Sequence, residues 1–329
     1  MDTPLDAVGV GNALVDVLSF ESDDFIEQHG LTKGAMTLID AAQAESLYAS
    51  MGSTVEMSGG SAANTLAGLA SLGGRAGFLG RVHDDTLGSV FGHDIRAVGV
   101  EFPGRAASSG LPTGRCLIVV SPDGERTMNT FLGAASELGP EDVHEALIAR
   151  AQVTYLEGYL FDQDAAGEAF HKAAAASHAA GRRVALTLSD SFCVERFLEP
   201  FRALVERTVD VLFGNHDELC LLYETDNLED AMAHAEKHCD LVAVTRGAEG
   251  ALISARGVRT SVAAAPVAKV VDTTGAGDLF AAGFLYGLTR DLDADRCGKL
   301  GAACAGEVIG HVGARPETSL AELVAPLLR

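Results

Sequence analysis

From residue 153 onward, short apolar runs alternate with helix-length segments, and this alternation constrains the fold more than any other feature. Strands are expected at 154–156, 184–188, 211–213 and 241–245, and helices at 164–180, 217–223 and 228–238. Such alternation requires crossover connections, so it yields an α/β chain with a mostly parallel sheet covered by helices on both faces. The first half continues the pattern, with strands at 7–10, 35–39 and 76–79 and helices at 61–72 and 87–98. One stretch departs from it. Residues 116–120 and 126–131 flank the turn Ser121-Pro122-Asp123-Gly124, which reads as a hairpin. A hairpin inside a β–α pattern suggests a small β-sheet lid, formed by segments near 12–57 and 102–134 inserted in a single α/β domain spanning 1–329. A second hairpin is expected at 251–254 and 260–262, and the last strong helices at 275–288 and 294–309.

A formal net charge of −22 argues against a nucleic-acid partner, which would require a basic face. Any anionic substrate must then be met by local positive features such as an Arg, a metal ion or a helix N-terminus. The six cysteines show no C-x-x-C spacing, which supports neither a zinc site nor a disulfide framework. No apolar run approaches the roughly 20 residues of a membrane span. Residues 1–6 lack signal-peptide character. A cytoplasmic protein acting on a small molecule is expected.

The richest stretch for chemistry is Asp272-Thr273-Thr274-Gly275-Ala276-Gly277-Asp278, which leads from a strand end into an apolar helix. The N–H groups that open a helix have no partner within it and favour anions. Gly275, Ala276 and Gly277 would let a phosphate approach the backbone. Asp278, in the first turn, could take the proton of an attacking hydroxyl. The plainer reading is an acidic first turn capped by Thr274. A second glycine-rich element, Ser58-Gly59-Gly60-Ser61-Ala62-Ala63-Asn64, also precedes a helix, and Asn64 offers both donors and an acceptor to a polyhydroxylated substrate. No G-x-x-x-x-G-K-[ST] loop is present. In Gly9-Val10-Gly11-Asn12-Ala13-Leu14, Leu14 takes the place of a dinucleotide fingerprint's third glycine, so a nicotinamide enzyme is disfavoured.

Together the two glycine-rich elements, in this order and near opposite ends of the chain, resemble the ribokinase-like (PfkB) family of carbohydrate and nucleoside kinases. The resemblance runs from about residue 6 to 315. It implies a Rossmann-like domain with a β lid, ATP as phosphoryl donor and Mg²⁺ as cofactor. It assigns Asp278 as catalytic base, 275–277 as the backbone anion hole and Arg126, on the lid hairpin, to the transferring phosphoryl group. Asn215 and Glu218 of Asn215-His216-Asp217-Glu218 would place Mg²⁺ through water. Thr245, Arg246 and Gly247 would form a nucleotide-binding turn, and the last helices would flank the ATP base. Asp272 and Thr274 would contribute to a monovalent-cation (K⁺) site. Thr187 departs from the Asn found in many relatives.

The resemblance also speaks to the acceptor. Asp16, with Asn12, Gly59, Gly60 and Asn64, would grip a ribose diol, in an arrangement closest to adenosine kinases. Leu14, Leu38 and Tyr159 would form a slot for a flat base, though core packing is an equal reading of those three. Adenosine is thus the expected acceptor. Alternatives are a free sugar, a sugar acid, inosine or guanosine, or a catalytically silent nucleotide or nucleoside binder. A monomer or a lid-mediated homodimer would each accommodate the expected lid.

Overall fold

A computed structural model of the chain describes residues 3–104, 106–162 and 164–328. Met1 and Asp2, within the segment read as lacking signal-peptide character, and Arg105, inside the expected 102–134 insertion, lie outside the described residues.

The strands in chain order are β1 (Leu5–Val10), β2 (Leu14–Phe20), β3 (Met36–Leu38), β4 (Val55–Gly59), β5 (Ala76–Leu79), β6 (Val100–Glu101), β7 (Gly114–Val120), β8 (Arg126–Phe131), β9 (Ala151–Glu157), β10 (Arg183–Thr187), β11 (Val211–Asn215), β12 (Leu241–Thr245), β13 (Ala251–Ala255) and β14 (Val258–Val262). Nine of them form one sheet in the order β14-β13-β12-β11-β10-β9-β1-β5-β6. Pairing is parallel from β6 to β12 and antiparallel only through β13 and β14. The other five form a second sheet, β3-β8-β7-β2-β4. Every strand of the smaller sheet comes from 14–59 or 114–131.

Period-two alternation explains why the larger sheet carries a core on each face. Ala7, Val153, Tyr155, Ala185, Phe213 and Ala243 point into one buried cluster. Their neighbours Val8, Leu156, Val184, Leu186, Leu212 and Val242 point into the other. In β1 all six residues are buried, as a central strand covered on both sides requires.

The chain leaves β1 toward β5 on one side of the sheet, and β9 continues it on the other. That reversal creates a crevice beyond the carboxyl ends of the parallel strands, where open α/β sheets bind ligands. The helices Ser61–Ser71 and Ala276–Leu288 both begin at this crevice and pack closely against each other. Gly68 makes the approach feasible: an added Cβ would lie 2.6 Å from Leu279 Cδ1 and 2.8 Å from Ala282 Cβ.

Several elements depart from the sequence reading. β2 and β4 are strands, and short helices cover Asp23–Gln28, Ala41–Ser50, Glu145–Arg150 and Ser191–Arg196. Helix Leu198–Thr208 buries Phe201, Leu204 and Val205 on one face. It tolerates Pro200 because the first turn needs no N–H there.

Gly68→Val should push the two helices apart and cost about 1–3 kcal/mol, the usual range for overpacking. Urea denaturation reads this directly, and an unchanged unfolding free energy would show that the contact tolerates a larger residue.

Candidate active site

A cavity of about 680 Å³ opens at the carboxyl ends of the parallel strands, between the larger sheet and the smaller one. Residues 273–278 line it consecutively. The helix that follows has Gly275 as its N-cap, in a left-handed conformation (φ 78°), with no side-chain capping hydrogen bond. Thr274 is therefore not the cap that the sequence suggested. Only glycine takes that backbone conformation without strain, and a Cβ on Gly275 would also strike Ala314. Helix Ser61–Ser71 repeats the arrangement, with Gly60 (φ 100°) as an N-cap lacking a side-chain bond. Asp40, Asp85 and Asp293, by contrast, cap their helices with their own carboxylates. These two helices thus turn starts without a cap from their own N-cap residue toward the cavity, unlike helix His216–Leu222, which also opens there but is capped by Asn215.

Asp278 sits where the two starts meet. Its carboxylate accepts from Ser61 Oγ at 2.6 Å and from Asn64 Nδ2 at 3.2 Å. Burial raises its pKa above the ordinary aspartate value, while the Ser61 and Asn64 hydrogen bonds and the charge of Arg315 oppose the rise. Asp16, on β2, also lines the cavity. Burial pushes its pKa up to about 6, against the pull of Arg126 and Arg315. Its carboxylate lies over Gly59, where an added Cβ would come within 2.4 Å of it.

Glu157, at the end of β9, is buried and accepts from Asn12 Nδ2 (2.7 Å), Asn12 N–H (3.3 Å) and Ala62 N–H (2.8 Å). It therefore fixes the Asn12 side chain and ties down the first turn of helix Ser61–Ser71. Burial raises its pKa to about 7. The sequence reading missed it, although a carboxylate ending the apolar run Val153-Thr154-Tyr155-Leu156 was a visible signal.

Asn215 and Glu218 form a reciprocal capping box. Asn215 Oδ1 accepts from Glu218 N–H (2.8 Å), and the Glu218 carboxylate accepts from Asn215 N–H (3.0 Å) and Nδ2 (2.7 Å). Both line the cavity, and burial with nearby Asp190 and Asp217 raises Glu218 to about 7. Among the described residues no group of three or more His, Cys, Asp or Glu could hold a metal ion by itself.

The cavity thus brings together Asn12, Leu14, Asp16, Leu38, Gly60, Asn64, Tyr159, Thr187, Asn215, Glu218, Thr245, Gly247, Thr274, Gly275, Ala276, Gly277 and Asp278. It also brings in Ser61, Glu157 and the apolar Met36, Ile118, Met128 and Leu132, which the sequence reading did not single out. Four expected residues do not line it. Gly59 lies beneath Asp16, and Arg246 borders an adjoining cleft with Asn215, His216, Asp217, Thr245, Gly247 and Glu249. Arg126 is buried in an ion pair with Asp272, whose carboxylate also accepts from Thr274 N–H (2.9 Å) and Gly313 N–H (2.8 Å).

The chain belongs to the pfkB family of carbohydrate kinases, whose profile matches residues 31–320. It is a kinase of small sugar or nucleoside substrates, and ATP is the phosphoryl donor general to such kinases. It is similar to a probable sugar kinase from Rhizobium etli, at 49% identity and TM-score 0.92, over 99% of this chain and 100% of that one. Similarity to the adenosine kinase of Sinorhizobium meliloti is equally high, at 49% identity and TM-score 0.91, over 98% and 99% of the two chains. An ATP-dependent ribose-1-phosphate kinase of Halopiger xanaduensis is 32% identical over 85% of this chain and 89% of its own. Among the described residues no helix is long and apolar enough to cross a membrane.

Asp16, Glu157 and Glu218, at about 6, 7 and 7, titrate above the roughly 3.9 and 4.3 expected in an unfolded chain. Between those limits the folded chain holds more protons than the unfolded one, so stability falls as pH rises through the window. Asp85 and Asp272, whose pKa values are lowered, act only at more acidic pH. Unfolding free energy should therefore decline from pH 5 to pH 8, and Glu157→Gln should flatten the decline. Stability that increased over this interval would contradict the assignment.

Proposed function

We propose that this kinase phosphorylates the 5′-hydroxyl of a ribose nucleoside, adenosine foremost, with Asp278 as the base. The observation that carries the reading is the position of Asp278. It stands in the first turn of a helix with no side-chain cap, hydrogen-bonded to Ser61 and Asn64 of the other glycine-rich turn. A phosphoryl group at the N–H groups of 275–277 and a hydroxyl at the 60–64 turn would then meet at one carboxylate.

The choice of a nucleoside rests on the wall beside Asp16. Leu14, Met36, Leu38, Ile118 and Met128 of the smaller sheet, with Leu132 just past β8, form an apolar cavity face, suited to a flat base rather than to a bare sugar. Asp16, Asn12 and Asn64 supply polar groups for the ribose hydroxyls. Likeness to the adenosine kinase of Sinorhizobium meliloti supports the same choice.

In the mechanism, Asp278 accepts the proton of the 5′-hydroxyl as its oxygen attacks the γ-phosphorus. The bond from that phosphorus to the bridging oxygen breaks, and ADP leaves with the electron pair. Backbone N–H groups at 275–277 stabilise the charge developing on the phosphoryl oxygens. Arg126 acts from behind the turn: its pairing with Asp272 removes a negative charge that would otherwise repel the phosphates. Thr245, Gly247 and the adjoining cleft around Arg246 would hold the rest of the nucleotide. The smaller sheet serves as the lid that excludes water.

Magnesium fits this site in a water-mediated role. Glu218, raised by burial among Asp190 and Asp217, with Asn215 beside it, would be relieved by a nearby cation. When bound, the ion would neutralise phosphate charge. A monovalent cation at Asp272 does not fit in this conformation, because that carboxylate already carries Arg126 and two backbone N–H groups.

Asp278→Ala should fold and lose about 10²–10⁴-fold in turnover, the usual weight of general-base catalysis. The test is ATP consumption with Mg²⁺ against adenosine, inosine, guanosine, ribose, ribose 1-phosphate and 2-keto-3-deoxygluconate. Adenosine turnover lost in the variant supports the reading. Turnover confined to a free sugar or sugar phosphate would remove the nucleoside assignment, and near-normal activity of folded Asp278→Ala would remove the base.

A further inference from the structure

Residues 313–315 pass between the two turns that meet in the cavity. Gly313 N–H donates to Asp272 at 2.8 Å, and buried Ala314 closes against Gly275, where an added Cβ would lie 2.7 Å from the Ala314 Cβ. Arg315 reaches the opposite way. Its Nη2 donates to the Ser58 carbonyl (2.8 Å) and Ser58 Oγ (2.9 Å), and its Nη1 to the Ala63 carbonyl (3.3 Å). Ser58 is itself fixed from the far side, donating from N–H (2.8 Å) and Oγ (2.5 Å) to Asp94. Three consecutive residues therefore tie the 272–275 turn to the 58–63 turn.

The surroundings of the guanidinium are acidic. Asp94 of helix Thr86–Ala97, Asp16 of β2 and Asp278 of helix Ala276–Leu288 all attract it. Arg126 of β8 acts on Asp16 as well, but its ion pair is with Asp272, and the charge of Asp278 is in turn felt by Glu157 of β9.

We propose that Arg315 is a positioning residue for phosphotransfer: it holds the acceptor turn in register with the phosphate turn and supplies the cation shared by Asp16 and Asp278. The proposal rests on reading the cavity as a phosphotransfer site. A neutral side chain of similar length could fill the same space and bridge the turns by packing. It could not offset the buried carboxylates of Asp16 and Asp278, whose mutual repulsion favours protonation. A protonated Asp278 accepts no proton from a hydroxyl. The pKa of Asp278 is raised by burial and lowered by Arg315, which has the direction that this role demands.

The experiment is a carboxyl ¹³C NMR titration of Asp-labelled, ligand-free protein, comparing wild type with Arg315→Met, with Asp16→Asn and Asp278→Asn used for assignment. Arg315→Met should move both titrations upward by about one pH unit, the low end of the effect of an adjacent opposite charge. Titrations that stay in place in a folded Arg315→Met protein overturn the proposal. Should that variant fail to fold, Arg315→Lys keeps the charge and loses the fork on Ser58. It should titrate like wild type and raise KM for the acceptor while leaving KM for ATP unchanged. A wild-type acceptor KM in Arg315→Lys also overturns it. The titration needs no substrate, so shifted carboxyls in a protein that phosphorylates a sugar but rejects every nucleoside would sink the nucleoside reading and leave the role of Arg315 standing.

Discussion

A single hydrogen bond, Ser61 Oγ to Asp278 at 2.6 Å, joins residues 217 positions apart and marks where the two halves of the cavity meet. Its geometry depends on helices Ser61–Ser71 and Ala276–Leu288 lying close enough to touch through Gly68. It depends equally on both helices beginning with a glycine at positive φ. Neither glycine brings a side-chain cap of its own, so at Ser61 it is the distant Glu157 that accepts from the Ala62 N–H, and at Ala276 no capping side chain fills the cavity end. The packing of the two helices and the chemistry of their ends are therefore one constraint.

That constraint also answers how a chain with net charge −22 receives a polyanion. Among the described residues that line the cavity, Arg196 is the one Arg or Lys. Arg126 and Arg315 stand just behind the lining and neutralise Asp272, Asp16 and Asp278. The helix starts at Ser61 and Ala276 then face the cavity beside the carboxylates of Glu157 and Asp278. The carboxylates kept there are costly. Asp16, Glu157 and Glu218 all have pKa values raised by burial, so the fold gives up stability at neutral pH to keep carboxylates at the cavity.

Much of this was legible in the sequence, because the decisive signals are local. The parallel strands of the second half, the 116–131 hairpin and both glycine-rich turns announce themselves by period and composition. What stayed hidden depends on partners far away in the chain. β2 pairs with β4 on one side and β7 on the other, and β4 pairs with β2, so partners distant in the chain are what make them strands. Thr274 looked like a cap because Thr is a good one, and the left-handed backbone of Gly275 together with the packing of Ala314 on it shows why glycine holds that place. Arg315 carries no local signature, since its role comes from contacts with residues more than 250 positions away. Arg126 was read as facing the phosphates, whereas its partner in the fold is Asp272.

In the proposed reaction, one carboxylate at the meeting of two helix starts directs a phosphoryl group to a primary hydroxyl of a nucleoside. The most direct measurement is to incubate the protein with ATP, Mg²⁺ and adenosine and locate the new phosphate by ³¹P–¹H correlation NMR. Coupling to the 5′-methylene protons alone is expected, with ADP formed in equal amount. Phosphate on the 2′- or 3′-oxygen, or ATP consumption that yields only inorganic phosphate, would contradict it.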